Sequence, residues 1–227
     1  MSTVVLCGSL GSTSAMWEPQ LPVLEEHRVV SVEHPGHGGA PVVAVSDVRD
    51  LARRVLDQID GPFSFVGLSL GGLVGMQLAI DAPDRVRRLV LACTSAQFGD
   101  PQQWLDRAAV VRSEGLEAIV DAVLGRWFVE VPSDLERYRA MFLSVEAEGY
   151  ARCCEALAAS DARGSLAAIA APTLLIAGAE DPTSTPAEMA EVAREIPGAR
   201  LEVIGGAAHL ANVEGAETFN RLLEEHL

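Results

Sequence analysis

The sequence predicts an α/β fold, a mostly parallel sheet with helices on both faces and a block of helices inserted late in it. Three observations carry that expectation. Short runs rich in β-branched residues alternate with stretches whose apolar residues recur at helical spacing. The stretch Phe63 to Gly72, FSFVGLSLGG, breaks a strand-like run at Gly67 and continues into the helical run LVGMQLAIDA, with a serine between glycines at the junction. From about Thr94 to Ala168 strand signals vanish and helical periodicity takes over.

The 227 residues suit one such domain with an insertion, and 49% hydrophobic content is ample for a core. The start, MSTVVLCGSL, lacks the basic and long apolar regions of a secretory signal, and no run reaches membrane-spanning length, so a cytoplasmic protein is expected. A formal net charge of −15 argues against a nucleic-acid partner. All 17 basic residues are arginine, and without a lysine neither Schiff-base chemistry nor a P-loop is available. Cys7, Cys93, Cys153 and Cys154 lack C-x-x-C spacing, which suggests reduced, buried thiols and no metal site.

In chain order, Thr3–Cys7 reads as a buried strand ending in Gly8-Ser9-Leu10-Gly11. A Gly-rich turn at this place can supply a backbone N–H to an oxyanion hole, and Ser9 is the candidate donor. Ser14 to Leu24 reads as a first helix and Arg28 to Val32 as the next strand. Glu33-His34-Pro35-Gly36-His37 invites a metal reading, but Pro35 and Gly36 rule out the helix that a histidine pair at that spacing needs, and no metal is expected. Asp47 to Ile59 is an amphipathic helix, and Gly61-Pro62 leads into the next strand.

Gly67-Leu68-Ser69-Leu70-Gly71 then fits the G-x-S-x-G elbow in its proper strand-turn-helix setting, with Ser69 exposed at the carboxyl end of a parallel strand. A serine hydroxyl needs a base and a group to orient that base, which in this arrangement follow in the order acid, then histidine. Arg88–Cys93 is a further strand. The segments Gln102 to Arg112, Leu116 to Phe128, Ser133 to Ala147 and Tyr150 to Ala159 read as helices of a cap over residues 94–168, leaving 1–93 and 169–227 as the core.

Pro172–Gly178 resumes the sheet and Asp181 lies just past its end, where functional groups of open α/β sheets collect. Glu180 competes for the orienting role, and Pro182, which fixes the next turn, favours Asp181. Arg200–Ile204 is the last strand, followed by Gly205-Gly206-Ala207-Ala208-His209, a loop of small residues carrying the candidate base His209. Glu217 to Leu227 closes the chain as a helix.

These stretches resemble the 3-oxoadipate enol-lactonases of the α/β-hydrolase superfamily, over nearly the whole chain. GLSLGG and AAHLANVE are widespread in the superfamily, whereas GSLGSTSAMW, RWF at Arg126–Phe128 and YARCCEAL at Tyr150–Leu157 are more specific. The chain departs by starting at what is usually the third strand, so the antiparallel N-terminal hairpin is expected to be missing. Glu33-His34-Pro35-Gly36-His37-Gly38 also replaces the usual acidic-x-Arg-Gly-His-Gly stretch.

The resemblance implies a Ser69, Asp181, His209 triad, with the N–H groups of Ser9 and Leu70 as oxyanion hole and no cofactor. It implies hydrolysis of 3-oxoadipate enol-lactone, a small lactone that bears a carboxylate, to 3-oxoadipate through an acyl-enzyme in aromatic breakdown. Arg126, beside Trp127, is the candidate to bind that carboxylate, with Arg152 and Arg163 as alternatives. An esterase or carbon–carbon bond hydrolase of the same fold, a cofactor-free perhydrolase and a non-catalytic receptor are the other readings. The oligomeric state is left open.

Overall fold

Thr3–Cys7 forms β1, and in the computed structural model, which describes residues 1–227, it is an inner strand of a six-stranded sheet. The others are β2 (Arg28–Val32), β3 (Phe63–Leu68), β4 (Val86–Ala92), β5 (Thr173–Gly178) and β6 (Arg200–Ile204). Their spatial order is β2-β1-β3-β4-β5-β6 and every pairing is parallel. Inner parallel strands are covered on both faces, which is why β3 and β5 are buried at every residue and read as continuous apolar runs. The edge strands β2 and β6 are partly exposed.

From β1 the chain moves outward to β2 and then crosses back to β3. The strand order therefore reverses between β1 and β3, and the turns leaving their carboxyl ends flank the crevice where such sheets bind ligands. The first of these turns is Gly8–Gly11, and the second is the Ser69 elbow.

The elbow feeds α2 (Leu70–Asp81), a helix apolar on all sides and buried from Leu70 to Ala79. Before it, α1 (Val48–Gln58) is capped by Asp47, whose carboxylate accepts the Arg49 N–H at 2.8 Å. Between β4 and β5 lie only helical elements: α3 (Pro101–Glu114), α4 (Val120–Trp127), α5 (Leu135–Leu143), α6 (Ala147–Ala158) and short 3-10 turns. Arg112 cross-links α3 to α6, meeting Glu148 at 2.7 Å and Glu155 at 2.5 Å. After β5, α7 (Pro186–Glu195) opens with a Thr185–Glu188 capping box, and α8 (Ala211–Glu214) and α9 (Ala216–His226) follow β6. No helix is long and apolar enough to cross a membrane.

Three sequence expectations need correction. Ser14 to Leu24 is not an α-helix but two 3-10 pieces, Ser14–Gln20 and Pro22–Leu24, because Pro19 and Pro22 remove the N–H donors a longer helix would use. The Leu116 to Phe128 segment splits into a 3-10 turn, Leu116–Ala118, and α4. The helix read over Ser133 to Ala147 shrinks to α5, and Ala147 instead opens α6.

Candidate active site

Ser69 sits in a backbone conformation that only glycine adopts at ease, with φ 59° and ψ −116°. The surroundings hold it there. Its N–H donates to the Ala92 carbonyl at 2.9 Å, while its own carbonyl accepts from the Thr94 hydroxyl at 2.7 Å and from the Leu73 N–H at 3.1 Å. The glycines are needed by contact: a Cβ on Gly67 would lie 2.2 Å from the Gly71 carbonyl oxygen, and one on Gly71 would lie 2.1 Å from that of Cys7. The elbow is thereby pressed against the β1 turn, and the Gly71 N–H donates to the Gly8 carbonyl at 3.1 Å.

That turn is held from its other side by the two histidines. His34 Nε2 lies 2.9 Å from the Gly8 carbonyl and donates to it. His37 gives its Nδ1 proton to the Pro35 carbonyl at 2.9 Å, which leaves Nε2 free to accept the Gly11 N–H at 3.0 Å. Both rings are buried, and burial lowers His34 to about 4 and His37 to about 3, so both are neutral at pH 7. Neither the Ser9 nor the Leu10 N–H is used by the backbone of the protein. The Leu70 N–H opens α2 and belongs to the first turn, which has no intrahelical acceptor.

Across the crevice, His209 Nδ1 lies 2.8 Å from Asp181 Oδ2, with the Asp181 side chain fully buried and that of His209 6% exposed. The second Asp181 oxygen accepts the Thr183 N–H at 2.8 Å. The carboxylate thus faces Nδ1 in a fixed orientation, which keeps the proton on Nδ1 and Nε2 as the lone-pair nitrogen. Four consecutive N–H groups fix the loop that carries His209. Ala207 donates to Glu180 Oε2 at 3.1 Å and Ala208 to Glu214 Oε2 at 2.7 Å. His209 and Leu210 donate to the carbonyls of Arg126, at 3.4 Å, and Trp127, at 3.0 Å. Glu214 also receives the Val129 N–H at 2.7 Å, so it bridges the loop to the residues just after α4.

Ser69 and His209 open onto one cavity of about 290 Å³. The core contributes Leu10, Pro182 and Thr183, and the inserted helices contribute Phe98, Gly99, Gln103, Trp104, Arg107, Val123, Arg126, Trp127 and Tyr150. The Ser69 elbow and an imidazole held by a buried carboxylate meet at this space, and Leu10 of the β1 turn lines it as well.

Residues 4–222 match the alpha/beta hydrolase family. The chain belongs to that family. Among the relatives of this hydrolase, 3-oxoadipate enol-lactonase 2 of Acinetobacter baylyi is 36% identical, over 97% of this chain and 86% of that protein. A pimeloyl-[acyl-carrier protein] methyl ester esterase of Neisseria meningitidis is 32% identical over 98% of this chain and 91% of that protein. The crystal structure of the enol-lactonase from Burkholderia xenovorans superposes with a TM-score of 0.95 at 37% identity, covering 99% of this chain and 90% of that one.

The residues that the sequence singles out in this hydrolase come together in part. Ser69, His209, Arg126 and Trp127 line the cavity, and Asp181 stands behind His209. Glu180 is exposed and engaged with the Ala207 N–H, not the imidazole. Arg152 pairs with Glu148 and Arg163 with Asp161, and neither lines the cavity. The cavity reaches the β1 turn at Leu10, one residue beyond Ser9. Sequence reading missed Arg107, Trp104 and Tyr150. The first two stand three apart on a helix, which marks them as neighbours, but nothing in the sequence turns that face inward. The four cysteines are free and buried, and burial pushes their thiols upward.

Proposed function

We propose that this hydrolase opens 3-oxoadipate enol-lactone to 3-oxoadipate by way of an acyl-enzyme on Ser69, in the breakdown of aromatic compounds. One observation carries the reading: the Ser69 elbow and the Asp181–His209 pair share a cavity lined by two arginines and by no acidic side chain. Such a site suits an ester or lactone with a free carboxylate. The identity to two 3-oxoadipate enol-lactonases, 36% and 34%, supports the choice of lactone.

In the first step His209 Nε2 takes the Ser69 proton as the oxygen attacks the lactone carbonyl, while Asp181 orients the imidazole and stabilises its charged form. The developing oxyanion is received by the Leu70 N–H and by an N–H of the β1 turn. Ser9 is the donor read from the sequence; Leu10, whose N–H is equally free and which lines the cavity, suits the position better. Collapse breaks the ring C–O bond and expels an enolate, which gains a proton from His209 and ketonises while the acyl group stays on Ser69. Water deprotonated by His209 then attacks the ester, and the acid leaves. Arg126 and Trp127 contact the substrate from residues 94–168, which act as a cap over the core of 1–93 and 169–227. These steps need no metal or organic cofactor.

The test follows the ultraviolet absorbance of freshly prepared enol-lactone with the wild-type protein and with Ser69→Ala. Rapid loss that falls by on the order of 10⁴-fold or more in the variant is expected. Turnover of aryl esters through Ser69 with the lactone untouched would reject it in favour of a carboxylesterase, the reading that the 32% identity to a methyl ester esterase supports.

A further inference from the structure

The cavity inverts the charge of the molecule around it. The chain carries 32 acidic side chains against 17 basic ones, yet its cavity is lined by Arg107 of α3 and Arg126 of α4 and by no Asp or Glu. Neither arginine is in an ion pair, whereas Arg112, Arg152 and Arg163 each hold a carboxylate. Two unpaired cations in a shared hollow repel each other, so an anion relieves them both.

Arg107 is half-buried, and its guanidinium carbon lies 4.7 Å from the centroid of the Trp104 ring. Stacking on the indole restrains a long side chain before any ligand arrives, which lowers the entropy lost on binding. Tyr150 is 1% exposed and lines the same cavity. Burial pushes its phenol up while Arg107 and Arg126 both pull it back, so the two cations act on one hydroxyl.

We infer that Arg107, Arg126 and the Tyr150 hydroxyl form one carboxylate subsite, and that Arg107, fixed on Trp104, sets its selectivity. The inference rests on the proposed hydrolysis of a carboxylated lactone or ester and extends it to the residues that recognise the charge. The restrained fork of Arg107 offers two parallel N–H donors, Tyr150 adds an O–H, and the more exposed Arg126 adds charge. The ligand class is a small ester or lactone whose free carboxylate stands remote from the acyl carbon.

The experiment is calorimetric titration of the Ser69→Ala protein, which cannot turn the ligands over, with monomethyl adipate and dimethyl adipate at fixed ionic strength. The acid ester should bind at least about 10-fold tighter than the diester, as a charged hydrogen-bonded group predicts. Adding Arg107→Gln should bring that preference below about 3-fold, and adding Tyr150→Phe should reduce it less. A preference near one in the Ser69→Ala protein, or one that Arg107→Gln leaves intact in a folded protein, overturns the inference. If Arg107→Gln does not fold, Arg107→Lys takes its place: it keeps the charge and loses the fork, and an unreduced preference with it is equally fatal. Failure of the lactonase reading leaves a different mark, an untouched enol-lactone beside an intact preference for the acid ester.

Discussion

Asp181 and Glu180 are neighbours after β5 and use their carboxylates differently, one on the His209 ring and the other on the Ala207 N–H. That difference makes a paired prediction. In Asp181→Asn an amide N–H replaces the acceptor at Nδ1, favouring the tautomer in which Nε2 carries the proton and cannot take one from Ser69. Steady-state ester hydrolysis should show kcat lower by about 10³ to 10⁴-fold with KM little changed. Glu180→Gln keeps an acceptor for the Ala207 N–H and should stay within a few-fold of wild type; a loss comparable to that of Asp181→Asn would transfer the orienting role to Glu180. The sequence marks both carboxylates because both follow a strand end. Only the path of the loop separates them, and Pro182, directly after Asp181, is a sequence feature that bears on that path.

At the level of elements, the His209 loop and the end of α4 behave as one piece. The carbonyls of Arg126 and Trp127 accept from the loop, and Glu214 of α8 bridges the Ala208 and Val129 N–H groups. Glu214→Ala should therefore lower kcat about 10-fold and the unfolding free energy by about 2 kcal/mol, since two N–H groups lose a charged acceptor. Glu214→Gln, with one oxygen left, should fall between, as urea melts and initial rates on an aryl ester can establish. This bridge was not legible beforehand, because Val129 and Glu214 are far apart in sequence and meet only after the sheet has formed. The elements themselves were largely legible where pattern and length agree, as in β3, α2 and β5. Inside the insertion the helices were legible but not their ends, and the inward face of α3 is decided by its packing on α6.

For the whole molecule, the switch in strand order is what brings the β1 turn to the elbow, and two buried histidines fix that turn. Their lowered values have a consequence for stability with a definite sign. The unfolded chain binds protons at these rings near pH 6.5 while the folded one does not until about 4 for His34 and about 3 for His37. Their contribution is complete above pH 6.5 and is lost as pH falls toward 4, by about 1.4 kcal/mol per pH unit for each ring. Lowering the pH also relieves the repulsion of a −15 molecule, which acts in the opposite direction. Urea midpoints measured from pH 7.5 to 4.5 should fall, and His34→Gln should flatten the slope; equal slopes in both proteins would exclude this origin. The parallel architecture was legible from the alternation of runs, whereas the role of the histidines was not, because a loop sequence does not say which carbonyls its rings will meet. The tether between the inserted helices and the His209 loop also bears on access. Any swing that lifts the end of α4 pulls on the backbone of His209 itself. In the proposed mechanism the base therefore takes its place from the same helix end that lines the cavity above it, so the two keep register with each other.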